Sequence, residues 1–254
     1  MWTQCESLAG TPLSARAACE QNGSVEVNSV RDQIGSQLQN NKLIVIAEML
    51  AIALFPVFLA LVQLSRTILP LILLGWLSLW LRHTNWKEVG LRRPARRLQL
   101  ILAGIGIALA GAFLSEKTIS SLLLRLTAET QPQVAELALL RSNLLYFLVL
   151  LIGIWLLAAL GEELVYRGYV LNRLIDLFGR SKVGWGIGLV VSSLMFSLGH
   201  GIFDRAVIIG GFLIGLIEGG LYLASRQNLW LSIVFHGTWD TIFLTLAFLG
   251  LSWR

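Results

Sequence analysis

The sequence predicts an all-α, polytopic membrane protein: a bundle of seven to eight transmembrane helices that follows a soluble N-terminal tail. Hydrophobic residues make up 56% of the 254 positions and charged residues only 14%, a composition too apolar for a soluble domain of this length. A run of about 20 apolar residues crosses the hydrocarbon layer, and it crosses as a helix because lipid offers no partner to open backbone groups. The predicted spans are 43–63, 67–81, 98–114, 143–160, 183–199, 207–223 and 229–250.

The N-terminal region differs in kind from the rest of the chain. Residues 1–42 are rich in Ser, Asn, Gln and Gly and contain no apolar run long enough for a signal-peptide core. We expect a flexible soluble tail. Cys5 and Cys19 both lie there, away from any membrane segment, and are predicted to be free thiols rather than a disulfide or a metal site.

The membrane region divides into N-terminal helices over 43–142 and a core over 143–254. The net charge of +5 is concentrated in one short loop, 82–97, which carries six Lys and Arg residues against a single acid. By the positive-inside rule this loop is cytoplasmic, and the mixed-charge segment 115–142 then lies outside. The charge is therefore a topology signal, and nothing in the sequence indicates a nucleic-acid partner.

A pair of acids directly after an apolar run is the first pattern with chemical content. Glu162 and Glu163 follow that run, and Arg167 lies four residues after Glu163. A charge at mid-bilayer costs about 2.5 to 3.5 kcal/mol on insertion scales, so the pair requires an explanation. On a helix Glu163 and Arg167 favour an ion pair, whereas Glu162 points about 100° away. Glu162 is thus left as a candidate general base; a purely structural ion-pair cluster is the alternative.

Two later helices carry the other candidates. Phe196 and His200 are four residues apart, as are His236 and Asp240, so each pair shares a helix face. A helical hairpin centred near Ser181 leaves His200 and the candidate base each nineteen residues from the turn, which predicts that they face each other. His236 lies fewer residues from the polar turn that precedes it. For His236 to reach the same depth as Glu162 and His200, its helix must be tilted or must enter through a non-helical segment over 228–231.

The three patterns read EExxxR, FxxxH and HxxxD in chain order, each on an apolar helix. Together they resemble the CAAX prenyl endopeptidase and bacteriocin-processing (CPBP) family of intramembrane proteases. The resemblance runs through residues 143–250, and it extends to the segment WKEVGL at 86–91 and to Asn228-Leu229-Trp230 before the last motif. Any one motif would be weak evidence, but three in order are specific.

The resemblance implies a role for each motif position. Glu162 would activate a water and His200 would hold or polarise it, while His236 and Asp240 would stabilise the developing oxyanion. Many family members carry Asn where this chain has Asp240; because an ionised Asp donates no hydrogen bond, Asp240 would have to be protonated or would instead orient His236. The supporting positions are Glu163, Arg167 and Phe196.

Metal dependence is a separate question. Glu162, His200 and His236 form a set that could bind zinc and leave a position for water. However, no motif puts both histidines on one helix, and Glu162 cannot easily serve as both ligand and base. We therefore expect no required cofactor and no tightly bound metal, with zinc on these three residues as the alternative.

Two topologies fit the sequence. If 143–178 is one helix, the chain has seven spans, and Glu162 and His200 are expected near opposite faces of the membrane. If the chain reverses near Gly161, there are eight spans, and both termini and the catalytic end lie toward the cytoplasm. Eight is the expectation, although Arg180 and Lys182 then lie outside, against the positive-inside rule.

The predicted function is an integral membrane endopeptidase that hydrolyses a peptide bond by glutamate-activated water, without a covalent intermediate. Its substrate would be a peptide or protein met in or at the lipid bilayer, such as a prenylated CAAX tail or a leader peptide. The alternative within the family is a non-catalytic membrane scaffold or bacteriocin-immunity protein. A proton-coupled transporter is less favoured because no inverted repeat is visible; its relay would be Glu48, Glu162, Glu163 and Glu218.

Some residues inside spans lie outside the motifs. Glu48 and Glu218 are each expected to have structural roles in the bundle rather than catalytic ones. Gly211, Gly215 and Gly219 form a stripe of small residues at four-residue spacing, which is typical of close helix packing in membranes.

Overall fold

The structure, a computed structural model, describes residues 30–38, 41–61, 68–117, 140–141 and 143–251, and within these ranges all regular structure is helical. This confirms the all-α membrane fold. Cys5, Cys19 and most of the predicted outer segment lie outside the described residues. After a helical stretch at 30–38, the described helices are α1 Lys42–Leu61, α2 Leu69–Leu81, α3 Arg97–Lys117, α4 Leu144–Phe178, α5 Lys182–His200, α6 Arg205–Ala224 and α7 Leu229–Phe248.

Six of these helices are long and apolar enough to cross a membrane, and α2 is a shorter apolar helix of 13 residues. The predicted range of seven to eight spans is thus met at its lower end. The expected reversal near Gly161 is wrong, because α4 runs without interruption for 35 residues, about 52 Å at 1.5 Å per residue. A reversal in the hydrocarbon layer would leave backbone groups without partners, whereas a continuous helix leaves none.

Gly161 lies within the continuous helix and allows close packing against α2, so it does not form a turn. A Cβ at this position would lie 3.0 Å from Cδ1 of Ile72 and 3.2 Å from Cγ2 of Ile68, so the glycine lets the start of α2 lie close against α4. The helix is widened around it: π-helical hydrogen bonding extends over Ile154–Glu162 and again over Leu164–Val170. Such wide turns are often found at functional sites, and here they contain nearly the whole EExxxR motif.

The basic loop lies against the turn that precedes α7. Arg92 Nη2 donates to the carbonyl of Arg226 at 2.8 Å, and Asn228 Nδ2 donates to the carbonyl of Arg92 at 2.9 Å. The amide of Leu229 donates to the carbonyl of Gly90 at 3.0 Å, where the backbone of Gly90 has a positive φ of 118° that favours glycine. The two segments that resemble the family outside the motifs are therefore joined to each other.

With one continuous α4, the hairpin between α4 and α5 lies at the same end of the bundle as the basic loop. Arg180 and Lys182 flank that hairpin, so the conflict with the positive-inside rule disappears. At the other end, Gly250 lies beside the Arg141 side chain, and the rings of Phe147 and Phe248 are 4.9 Å apart. The described helices leave the start of α1 and the end of α7 at opposite ends of the bundle. The chain ends themselves lie outside the described residues, so the expectation that both share one side stays a prediction.

Helix α7 reaches the motif region without a non-helical entry. It is helical from Leu229, and Oδ1 of Asn228 accepts from the amide of Trp230 at 3.0 Å as an N-cap. A Cβ on Gly168 of α4 would lie 3.3 Å from Cδ1 of Leu229, so α7 starts level with Gly168. Seven residues along α7 and six back along α4 are about 10 and 9 Å, which brings His236 to the depth of the acid pair.

The stripe of small residues on α6 packs on α5. Cβ atoms at Gly211 and Gly215 would lie 3.2 and 3.0 Å from the Cα atoms of Ser197 and Ser193. This close backbone approach matches the predicted packing role. It also holds the next part of α6, which carries Glu218, against the motif helix.

Candidate active site

Glu162 lies between the two membrane histidines. Its Oε2 is 3.5 Å from Nε2 of His200 and 3.9 Å from Nε2 of His236. The Glu162 side chain is 18% exposed, and its buried Oε2 makes no hydrogen bond to the described part of the chain. The structure therefore brings the residues of all three motifs together around a carboxylate oxygen that is available for a further partner.

The orientation of His200 follows from its own helix. Its Nδ1 lies 3.0 Å from the carbonyl oxygen of Phe196, and because a carbonyl only accepts, Nδ1 carries the hydrogen. The other ring nitrogen, Nε2, then faces Glu162. The FxxxH spacing thus does more than put two rings on one face, since the backbone of the first residue fixes the ring of the second.

Phe196 is also the packing centre of the site. Its ring is 4.5 Å from the His200 ring, 6.1 Å from the His236 ring and 5.3 Å from the Tyr166 ring, measured between centroids. The guanidinium carbon of Arg167 lies 4.4 Å above it, within the range of a cation–π contact. Phe196 therefore supports both histidines and the motif arginine at once.

His236 is held from both sides of its ring. Its Nδ1 hydrogen-bonds Oε1 of Glu163 at 3.3 Å, and its Nε2 lies 3.4 Å from Oδ2 of Asp240. The His236 side chain is 5% exposed and that of Asp240 is 31% exposed. The Asp240 carboxylate lies closer to Nε2 of His236 than the Glu162 carboxylate does. Asp240 is therefore placed to orient the His236 ring.

A buried ion-pair network lies behind His236. Arg167 donates to Oε1 of Glu163 at 2.9 Å and to Oε2 of Glu218 at 2.6 Å, and it also reaches the carbonyl of Gly215 at 3.1 Å. The three charged side chains are at most 2% exposed. The predicted Glu163–Arg167 pair is present, and the structure adds a second carboxylate to it.

Glu218 is the part of this network that the motifs do not contain. Its Oε1 lies 3.1 Å from Nδ1 of His236, although the hydrogen-bond geometry is met by Glu163 and not by Glu218. The contact is therefore electrostatic. The only signal in the sequence was an acid inside an apolar helix, which marked Glu218 as unusual but did not reveal its partners.

These side chains also bear on metal binding. Among the described residues, the compact set with three candidate ligand atoms within 4.8 Å of one another is Glu163, Glu218 and His236. It differs from Glu162, His200 and His236, the set named as the zinc alternative. Arg167 contacts both carboxylates of the compact set. The guanidinium already supplies a positive charge to both carboxylates, so the cluster fits an ion-pair network better than a cation site.

Glu48 belongs to a different network near the basic loop. Its carboxylate pairs with Arg82 at 2.7 Å, and Arg82 also contacts Ser78, whose hydroxyl accepts from Tyr169 at 2.7 Å. These contacts join α1, α2 and α4, and none of them involves His200 or His236. Glu48 thus has the structural role expected of it.

A cavity of about 250 Å³ lies beside Glu162. It is lined by Phe55, Pro56, Leu59, Ile68, Leu71, Glu162, Tyr166, Gly199 and His200. Five of these nine residues have apolar side chains, and neither His236 nor Asp240 is part of the lining. The lining residues of α1 lie near its end, those of α2 at its start and those of α5 at its end, so the cavity lies toward the end of the bundle opposite the basic loop.

Fold and site together define an integral, multi-pass membrane protein with a carboxylate and two histidines gathered inside its helix bundle. Residues 143–242 match the family model described as Rce1-like, Type II CAAX prenyl endopeptidase Rce1-like, and this range contains all three motifs. Over these 100 of the 254 residues, the match confirms the resemblance to the CAAX protease (CPBP) family that the motifs indicate. No significant match occurs among curated proteins or solved structures.

Proposed function

We propose that this protein is an intramembrane endopeptidase in which Glu162 activates the attacking water. The observation that carries the proposal is the meeting of Glu162 Oε2 and His200 Nε2, 3.5 Å apart, at the wall of a cavity inside the helix bundle. A buried carboxylate oxygen that makes no hydrogen bond to the described residues, as Oε2 of Glu162 is, is a suitable proton acceptor. The family is one of proteases, which supports peptide hydrolysis as the reaction.

The reaction needs only water as co-reactant. Glu162 takes a proton from a water positioned beside His200, and the water oxygen bonds to the carbonyl carbon of the substrate while the carbonyl electron pair moves to oxygen. The tetrahedral intermediate then collapses, the carbon–nitrogen bond breaks, and the proton passes from Glu162 to the leaving amine. No side chain bonds to the substrate, so no covalent intermediate forms.

His236 and Asp240 act next to this centre. We assign His236 the stabilisation of negative charge that develops near Glu162, since its Nε2 faces that carboxylate at 3.9 Å. Asp240 orients the His236 ring from 3.4 Å. The Glu163–Arg167–Glu218 network keeps His236 and the motif helix in register. No step is routed through a metal, and we propose that none is required.

The substrate is a peptide segment with apolar character at the cleaved region, because the cavity walls are contributed by Phe, Pro, Leu and Ile side chains. A prenylated CAAX tail and a leader peptide both fit this description. With the basic loop assigned to the cytoplasm, the cavity is lined by helix ends of the opposite side. We propose that the substrate enters from the bilayer or from that side, which replaces the expectation of a cytoplasmic catalytic end.

The test is cleavage by protein purified into lipid nanodiscs and given a mixture of prenylated CAAX peptides and leader peptides, with products identified by mass spectrometry. Wild-type protein should cut at defined bonds, and added hydroxylamine should trap no acyl product. Glu162→Gln should abolish cleavage. The matched control is Glu48→Gln, the same change at a second glutamate within the membrane, and it should retain activity.

Full activity in the Glu162→Gln protein would overturn the role of this residue. The non-catalytic alternative predicts something different: a scaffold or immunity protein would bind or protect its partner equally well after Glu162→Gln and His200→Ala. Cross-linking of the nanodisc protein to the same peptides distinguishes the two functions, because it reports binding without turnover.

A further inference from the structure

The cavity beside Glu162 contains a donor that the motif roles do not use. Among the described residues that line it, three have polar side chains: Glu162, Tyr166 and His200. The first is the proposed base and the third holds the water. Tyr166 is therefore the one neutral hydroxyl on the described wall of the cavity.

The position of this hydroxyl is tightly defined. A Cβ on Gly199 would lie 2.6 Å from the Tyr166 hydroxyl oxygen and 3.7 Å from its Cζ. The hydroxyl thus occupies space that exists because residue 199 has no side chain, directly before His200. The Tyr166 ring is only 4% exposed and packs edge-on against Phe196, with their planes at 88°.

The chemistry of the proposed reaction needs a donor at this place. Attack by water turns the substrate carbonyl into an oxyanion, and preorganised donors aimed at that oxygen supply a large part of the rate enhancement in acyl-transfer enzymes. Neither His236 nor Asp240 lines the cavity. A tyrosine hydroxyl can donate without carrying a charge, and in a poorly solvated cavity such a hydrogen bond is strong.

We propose that Tyr166 is a further catalytic residue whose hydroxyl donates a hydrogen bond to the oxyanion of the tetrahedral intermediate. The proposal rests on the proposed peptidase function and adds, beside His236, a neutral donor to the substrate oxygen that carries the charge. It places base, water-holding histidine and oxyanion donor on one cavity wall, within two adjacent helices.

The first experiment compares Tyr166→Phe with Tyr169→Phe in the nanodisc cleavage assay. Both tyrosines are buried on α4, but the Tyr169 hydroxyl donates to Ser78 at 2.7 Å and does not line the cavity. Removal of one oxyanion donor lowers kcat by about 10² to 10³. We expect that loss in Tyr166→Phe with KM unchanged, and wild-type kinetics in Tyr169→Phe.

A second variant is expected to displace the Tyr166 hydroxyl without removing it. Gly199→Ala introduces a methyl group where the Tyr166 oxygen now lies, and alanine is well tolerated in a helix. The expected result is again a lower kcat at unchanged KM. Tyr166→Phe removes the oxygen that this methyl group would meet. The double variant should therefore be more stable than Gly199→Ala alone, but it should regain no activity.

The third measurement does not require turnover. A phosphinate peptide, which mimics the tetrahedral intermediate, should bind less tightly to Tyr166→Phe than to wild type, and the loss should persist in the Glu162→Gln background. Wild-type kcat in Tyr166→Phe, or equal loss of affinity for the phosphinate and for the uncleaved peptide, would overturn the proposal. If wild-type protein cleaves nothing, the proposed function fails, and equal phosphinate affinity in both proteins would also overturn the role of Tyr166.

Discussion

Glu162 Oε2 and His200 Nε2 lie 3.5 Å apart although 38 positions separate them in the chain. They meet because α4 and α5 form an antiparallel hairpin. Helix α4 ends before Gly179, which has a φ of 89°, and α5 begins after Ser181, whose hydroxyl accepts from the amide of Gly184 at 3.1 Å as an N-cap. The two side chains are therefore fixed by one supersecondary unit. The contacts of His236 require a third and a fourth helix.

The role of His200 predicts a specific loss. We expect His200→Ala to lower kcat by about 10² to 10⁴, the usual contribution of a positioned acid–base group, with little change in thermal stability because the side chain is 41% exposed. The control is His83→Ala, which removes the exposed histidine of the basic loop. Peptide cleavage in nanodiscs measures both. Equal activity of the two variants would remove His200 from the mechanism.

Asp240 can be tested by shape-conserving changes. Asp240→Asn retains an acceptor oxygen near Nε2 of His236 and adds a donor, so we expect activity within about 3-fold of wild type, and Asp240→Leu should cost about 10²-fold. Measurement of kcat and KM for each variant decides the case. A large loss in Asp240→Asn would show that the negative charge itself is needed.

Glu218 should matter for both stability and catalysis. Glu218→Gln removes one charged partner of Arg167, which keeps its pair with Glu163. Loss of a hydrogen bond between charged groups costs about 1.5 to 3 kcal/mol, and we expect a lower melting temperature. Glu48→Gln weakens the other buried pair, with Arg82, and provides the control for that effect. Only Glu218→Gln should also lower kcat, because only Glu218 contacts His236. Equal kcat in both variants at saturating substrate would contradict this.

Metal dependence has a direct measurement. We expect purified active protein to contain much less than one zinc per chain by plasma mass spectrometry, and its cleavage activity to survive prolonged treatment with a chelator. The expectation follows from Arg167, which already pairs with both carboxylates of the compact carboxylate–histidine cluster. Stoichiometric zinc that is lost in the His200→Ala or His236→Ala protein would instead support the set Glu162, His200 and His236.

Topology can be measured by cysteine accessibility. After Cys5 and Cys19 are replaced, single cysteines at Arg93 and Arg226 should react with a membrane-impermeant maleimide from one side of the membrane. A cysteine at Phe203, which is 75% exposed in the turn after α5, should react from the other. Labelling of all three positions from one side would contradict the seven-helix arrangement.

The local features of the site were readable from the sequence because they depend only on helical spacing. The Glu163–Arg167 pair follows from residue spacing on one helix. The position of Glu162 opposite His200 follows from residue counts on the two helices of the hairpin. The same counts could not decide whether the chain turns at Gly161, since a glycine is compatible both with a break and with a close helix contact. In the structure, Ile68 and Ile72 pack against it, which accounts for the glycine without a break.

By itself, then, the sequence determined the membrane class, the helices, the three motifs and their family, all of which are encoded in hydropathy and short-range spacing. Only the tertiary structure decided which side chains from distant helices share a space: Glu218 with Arg167 and His236, and Tyr166 with Glu162 in the cavity. The physical reason is that these contacts depend on the relative depth at which each helix starts. The start of α7 opposite Gly168 is set by packing between helices and not by any pattern within one of them.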